Sequence, residues 1–239
     1  MRAVTTSPDD IKAVIAMVST VVEEAVFHCT AEGMTFRGMD GAHVNLIDIS
    51  LPAEMFEEYT CEEEVQLGIR VGDFSKLIKR AEKKDSLELE IINNALEISI
   101  GKKKYTMKLL ADLGLEQKMP NIAYKTGFDI DVTKLDKLCG DVEVISNYVH
   151  FIVKDGAISF SGNGDSGKVE AEVELENLVS EEDGTAEYSL EYMRPAIKAL
   201  GTTVGFANVH FSNNKPVKIV FKIGGVGSIT YFLAPRMVQ

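Results

Sequence analysis

Three groups of residues in this chain have types and spacings that could do chemistry. Gly162-Asn163-Gly164-Asp165-Ser166-Gly167-Lys168 spells GxxxxGK, the core of a loop that cradles phosphates with backbone amides and a lysine. A nucleotide enzyme built on it needs Ser or Thr next, to hold magnesium, and a helix whose N-terminus faces the phosphate. Val169 stands there instead, and it opens the alternating run Val169-Glu170-Ala171-Glu172-Val173-Glu174-Leu175, which reads as a strand. The loop is therefore expected to be a hairpin turn. The second group is His28, His43, His150 and His210 with Cys29, Cys61 and Cys139. No two histidines have a helix-face metal spacing, and no CxxC occurs. Cys29 and its neighbour His28 would point to opposite faces of a strand, so they make no nucleophile–base pair. No catalytic residue, metal site or cofactor is expected. The third group is Lys76, Lys79, Arg80 and Lys83, at i, i+3, i+4 and i+7 of a helix. Like charges at that spacing repel by a few tenths of a kcal/mol per pair. Their clustering fits either a solvated face or a polyanionic partner.

Positioning such groups needs a folded core. The 239 residues are 45% apolar, and no apolar run approaches the ~18 residues of a membrane span. The opening Met1-Arg2-Ala3-Val4-Thr5-Thr6-Ser7-Pro8 lacks the order of a signal peptide, and three cysteines without CxxC fit a reducing, intracellular setting. With 37 acidic and 25 basic side chains the net charge is −12. An evenly acidic surface repels phosphate, so a nucleic-acid role requires the cations to be gathered on one face. Trp is absent and Tyr sparse, which argues against stacking platforms for single strands.

Alternation at 87–91, 96–100, 105–109, 169–175 and 217–221 predicts strands with one buried face. Helical spacing predicts four short helices. The first carries Ile11, Val14, Ile15 and Val18 after Ser7-Pro8-Asp9. The second carries Phe74, Leu77, Ile78 and Ala81, with Asp73 as N-cap. The third carries Val132, Leu135, Leu138 and Cys139. The fourth carries Met193, Ala196, Ile197 and Leu200, with Pro195 in its first turn and Gly201 ending it. The chain also repeats itself at an offset of about half its length. Phe74-Ser75-Lys76-Leu77-Ile78-Lys79 answers to Met193-Arg194-Pro195-Ala196-Ile197-Lys198, and Asn93-Asn94 to Asn213-Asn214. Two similar α+β domains follow, at 1–113 and 127–239, with a linker at 114–126.

Basic residues recur on all four helices. Lys12 lies on the first; Lys134 and Lys137 on the third, diluted by Asp136, Asp141 and Glu143; Arg194 and Lys198 on the fourth. Acids crowd 54–64 and 170–187. Two strands look complementary: Glu170, Glu172, Glu174 and Glu176 mark one, while Lys102, Lys103, Lys104 and Lys108 flank the other. Opposite charges on two sheet edges can specify that they meet, and a head-to-tail contact of that kind closes into a ring.

Met39-Asp40-Gly41-Ala42-His43-Val44-Asn45-Leu46, Phe74-Ser75-Lys76-Leu77-Ile78-Lys79 and Tyr231-Phe232-Leu233-Ala234-Pro235-Arg236 together resemble the proliferating cell nuclear antigen (PCNA) family of DNA sliding clamps. The likeness runs essentially end to end, and the length and C-terminus look more archaeal than eukaryotic. It implies the DNA clamp fold, with antiparallel sheets outside and two helices per domain lining a central channel, in a trimer of twelve helices. Twelve helices at ~8–10 Å spacing leave a hole of roughly 24 Å, enough for duplex DNA. The channel residues so implied are Lys12, Lys76, Lys79, Arg80, Lys134, Lys137, Arg194 and Lys198. The subunit contact pairs Tyr105, Met107, Lys108 and Leu109 with Val169, Ala171, Val173 and Leu175 of the neighbour.

A groove for a short partner peptide maps to Met39, His43, Val44 and Leu46; to Met119, Pro120 and Tyr124; and to Pro216, Tyr231, Ala234, Pro235 and Arg236. Gln117 stands where the family has an aliphatic residue, so a different partner preference is implied. The implied partners are duplex DNA, DNA polymerase, a clamp loader, flap endonuclease, DNA ligase and other proteins with the same peptide motif. The implied place is the nucleoid if archaeal, the nucleus if eukaryotic, with no membrane. The rivals are one subunit of a heterotrimeric clamp, or a nucleotide enzyme using the 162–168 loop.

Overall fold

Each alternating run contains a strand, and the order of elements occurs twice. The computed structural model describes residues 1–111, 117–175, 177–201 and 203–237. The first pass runs β1 (Arg2–Thr5), α1 (Pro8–Val18), β2 (Glu24–Thr30), β3 (Gly33–Met39), β4 (Asn45–Pro52), a 3-10 turn (Ala53–Met55), β5 (Glu58–Thr60), β6 (Val65–Arg70), α2 (Val71–Ile78), β7 (Leu87–Ile92), β8 (Ala95–Ile100) and β9 (Lys103–Lys108). The second runs β10 (Thr126–Asp131), α3 (Val132–Glu143), β11 (Tyr148–Lys154), β12 (Ala157–Gly164), β13 (Gly167–Val173), β14 (Val179–Ser180), β15 (Gly184–Ser189), α4 (Leu190–Leu200), β16 (Phe206–Phe211), β17 (Val217–Ile223) and β18 (Gly227–Leu233).

The chain divides into two compact units, Met1–Lys118 with Lys222–Ile229, and Met119–Phe221 with the residues from Thr230 on. The linker expected at 114–126 begins on residues outside those described, where Glu176 and the last two residues of the expected second domain also lie.

In the first unit the strands lie in the orders β5-β1-β7-β8-β9 and β4-β3-β2-β6. In the second, β13-β12-β11-β15 repeats the latter strand for strand, and β14-β10-β16-β17 repeats the first four strands of the former. The pairs are antiparallel, and the whole is α+β. Local chemistry explains the hairpins. Asn93 and Asn94 take φ of 49° and 62°, the left-handed pair that a two-residue turn between Ile92 and Ala95 requires. Alternation sets burial: Leu96, Ile98 and Ile100 of β8 are all buried, with polar neighbours between them. In the second unit Phe151 is the centre of the core, edge-on to Phe160, Tyr188 and Phe211 with ring centroids at 4.6, 5.2 and 5.7 Å. In the first, Ile11, Val14 and Phe74 of the helices bury against Phe27, Leu67 and Leu89.

Three helix details differ from the sequence pattern. Asp73 is not the N-cap of α2: the helix starts straight out of β6, with Val71 N donating to the Glu23 carbonyl at 2.9 Å and Arg70 in the cap position. Asp73 sits in the first turn. The helix also ends at Ile78. Lys79 is its C-cap, Arg80 N and Ala81 N fall back to shorter i→i+3 bonds at 3.1 and 3.0 Å, and Lys83 lies beyond the helix. Pro195 is inside α4, in its second turn, because the helix begins at Leu190, directly after β15. Gly201 does end α4, at φ 51°. Residues 162–168 form the expected hairpin: Gly164 faces Gly167 across Asp165-Ser166, and Lys168 Nζ is 2.8 Å from Glu170 Oε2. Among the described residues, no helix is long and apolar enough to cross a membrane.

Candidate functional site

Of the eight basic residues expected to face DNA, four are already engaged. Lys12 Nζ donates to Asp9 Oδ1 at 2.9 Å and to the Ala81 carbonyl at 2.5 Å, which ties α1 to the chain leaving α2. Arg194 has a side chain only 14% exposed. Its Nε and Nη2 donate to Asp136 Oδ1 at 3.2 and 3.1 Å, and its Nη1 to Glu143, which locks α4 onto α3. Lys76 meets Asp73 at 3.2 Å in an exposed pair, a weak attachment. Lys134 Nζ donates to the Glu174 carbonyl at 3.3 Å. Among the described residues Lys79, Arg80, Lys137 and Lys198 are exposed and have no carboxylate partner, as is Lys83. Lys79 and Lys198 hold the same place in the two copies, at the C-cap of α2 and in the last turn of α4. There a cation faces the negative end of the helix dipole while its head stays in water.

Two of the strands that end sheets carry the expected charges. β9 is the last strand of its sheet in the first unit, and β13 the last of its sheet in the second. On β9, Tyr105 and Met107 are half-buried while Lys103, Lys104 and Lys108 face solvent. On β13, Val169 and Ala171 are half-buried and Val173 buried, with Glu170 and Glu172 exposed. Leu109 and Leu175, expected within these strands, lie just past their ends. The chain leaves the edge of β9 there: Leu110 N donates to the Gly68 carbonyl at 2.9 Å.

The motif at 39–46 is the β3–β4 hairpin loop, held from inside by Asp40. Asp40 Oδ1 accepts from the Val44 and Asn45 amides, both at 2.8 Å, and Oδ2 from Ala42 N at 3.2 Å. His43 takes φ 58° and is exposed; Met39 and Val44 are half-buried; Leu46 is only 3% exposed and belongs to the wall behind the loop. Arg37 of β3 donates to Asp48 Oδ1 at 2.7 Å and to the Gln117 carbonyl at 3.1 Å, anchoring the connecting segment.

In the second unit Met119 is exposed, and Pro120, Tyr124, Pro216, Ala234 and Pro235 are half-buried. The Tyr124 ring lies 5.8 Å from that of His210; its hydroxyl is buried without a hydrogen bond, and burial pushes its pKa up to about 12. Tyr231 is fully buried, its hydroxyl donating to the Tyr192 carbonyl at 3.2 Å, so it supports this region from within the core. Arg236 is exposed, with its guanidinium 4.0 Å over the Tyr148 ring.

All three cysteines are buried, and burial pushes the Cys29 and Cys139 thiols up to about 12, far from a reactive thiolate. Among the described residues no group of three His, Cys, Asp or Glu side chains could hold a metal. Sequence reasoning missed Arg37, Glu187, His150 and Tyr148. Alternation puts Glu187 with Thr185 and Ser189 on the face opposite Ala186 and Tyr188, so its burial carried no signal in the sequence.

Comparison with known proteins agrees along the whole chain. The family model described as proliferating cell nuclear antigen, N-terminal domain, matches residues 7–118, and that for the C-terminal domain matches 118–236. A DNA polymerase sliding clamp of Nitrosopumilus maritimus is 46% identical over 242 residues, with 98% of each chain covered. One from Cenarchaeum symbiosum is 41% identical, again with 98% of each covered. Among solved structures, A. fulgidus PCNA with the C-terminal region of FEN-1 bound superposes with a TM-score of 0.93 at 23% identity, covering 100% of this chain and 99% of that one. A chain of the PCNA2–PCNA3 complex from Sulfolobus tokodaii gives 0.91 at 23%, with 99% of each covered. At that identity the structural likeness speaks to the fold.

Proposed function

We infer that this chain, which belongs to the proliferating cell nuclear antigen family, is a DNA polymerase sliding clamp that closes into a ring around duplex DNA and has no catalysis of its own. The observation that carries the ring is the pair of open edges of opposite charge, basic β9 in one unit and acidic β13 in the other. A contact between β9 of one copy and β13 of the next uses up both edges, and three copies close the circle. A ring retains DNA by enclosure, so tight contacts would only hinder sliding. Lys79, Arg80, Lys137 and Lys198, exposed and without a carboxylate partner among the described residues, suit loose contact with the phosphate backbone and carry no base readout.

The clamp recruits polymerase, flap endonuclease, ligase and its loader through a short peptide. The residues offered to it in the second unit are Tyr124, Pro216, Ala234 and Pro235. The FEN-1 segment bound to A. fulgidus PCNA supports that mode of capture. Its relatives being archaeal, the chain works on the nucleoid.

The PCNA2–PCNA3 complex of Sulfolobus tokodaii favours a second reading, in which the chain is one subunit of a mixed ring. Because one chain here carries an edge of each sign, a single kind of chain suffices. Light scattering on the purified chain separates the two: a stable trimer supports the homomeric ring, and a monomer the mixed one.

A further inference from the structure

The two units finish in the same way. After β9, Leu110 N donates to the Gly68 carbonyl of β6 at 2.9 Å; after β18, Arg236 N donates to the Glu187 carbonyl of β15 at 2.7 Å. The side chains at these matched positions differ. In the first unit the β6 residue has to be glycine, because a Cβ would lie 2.5 Å from the Leu110 carbonyl oxygen. In the second unit it is Glu187, a carboxylate only 8% exposed. A charge so buried is costly unless it is paired. Its Oε1 lies 3.1 Å from His150 Nε2 of β11. Its Oε2 is buried with no hydrogen bond, and what faces it is the Arg236 guanidinium, 3.5 Å away at ion-pair distance. The same guanidinium lies over Tyr148 of β11. The side chain of Arg236 is therefore held by a carboxylate from β15 and a ring from β11, in addition to the backbone bond that both units share.

We propose that Glu187, steadied by His150, is a positioning residue that latches residues 234–236 through Arg236, and that a partner peptide binds that segment in its latched place. The proposal rests on the recruitment reading above. Glu187 touches no partner itself; it sets where Ala234 and Pro235 are held. Without the latch the segment keeps a single backbone bond, as after β9, and a binding peptide has to order it.

The test uses the full chain and a labelled synthetic peptide with aliphatic and aromatic anchors. Glu187→Gln keeps the volume and the hydrogen-bonding capacity while removing the charge. It is expected to weaken peptide binding about tenfold in fluorescence anisotropy and to speed amide exchange at residue 236 by a similar factor. Arg236→Gln should do the same, and the double variant should be no worse than either single one, since all three break one contact. Wild-type affinity and unchanged exchange in Glu187→Gln would overturn the latch, and so would losses that add in the double variant. If Glu187→Gln does not fold, Arg236→Gln breaks the same contact from its exposed side, with the same expected and contradicting results. If the wild-type chain itself ignores the peptide, the recruitment reading fails, and exchange at residue 236 decides the latch alone.

Discussion

The two units join their helices by different chemistry. In the first, Lys12 reaches from α1 to the Ala81 carbonyl just beyond α2. In the second, Arg194 of α4 spans Asp136 and Glu143 of α3. The first arrangement uses one cation and leaves Lys79, Arg80 and Lys83 free; the second neutralises its arginine twice and adds acids that dilute Lys137 and Lys198. The open edges diverge in the same way, basic on β9 and acidic on β13. A repeated fold thus supplies two equivalent frames, and the side chains give them unequal electrostatic work. Were the edges alike in sign, the proposed contact of β9 with β13 of the next copy would be repulsive.

The largest effect should come from erasing the difference between the edges. Glu170→Lys with Glu172→Lys makes both basic, and self-association should weaken by about a hundredfold, ~2.7 kcal/mol, in sedimentation. Adding Lys103→Glu and Lys104→Glu to the same chain exchanges the signs of the two edges and should restore self-association. Next is the helix clamp. Arg194→Ala leaves Asp136 and Glu143 without their cation and should cost about 2 kcal/mol in urea unfolding. Lys12→Ala should cost about 1 kcal/mol or less, and equal costs would remove the contrast drawn between the units. Smaller still, Lys79→Glu with Arg80→Glu should lower polymerase processivity on loaded rings more than Lys137→Glu with Lys198→Glu does, while assembly is untouched.

The smallest effect is a pH dependence confined to the second unit. Burial, and then Lys218, lower the His210 pKa, so this histidine binds its proton less readily when folded than when unfolded. Its contribution is complete above the ordinary histidine pKa of about 6.5 and fades as pH falls below it. His210→Gln should flatten that part of the stability profile; an unchanged slope would assign it elsewhere.

Much of this was legible from residue order alone. Strands such as β8 and β17 announce themselves by alternation, because each has one buried face, and the duplicated order of elements follows from matched pairs such as Lys79 with Lys198. The charge contrast between β9 and β13 was legible too. The end of α2 was not: Lys76, Lys79, Arg80 and Lys83 keep helical spacing past Ile78, but the chain tightens into i→i+3 bonds there and turns. Nor could the ties of Lys12 and Arg194 be read, since their partners lie 69 and 58 residues away in the chain. Pro195 sits deeper in α4 than proline's preference for a first turn suggests, because the start of that helix is set by β15.

Enclosure is tested most directly by loading the chain onto nicked circular duplex DNA, washing in high salt, and then cutting the circle once. A closed ring should stay on the intact circle through the wash and be shed when the cut opens an end. Protein that washes off the circle in salt, or that leaves cut and uncut DNA at the same rate, would contradict the account.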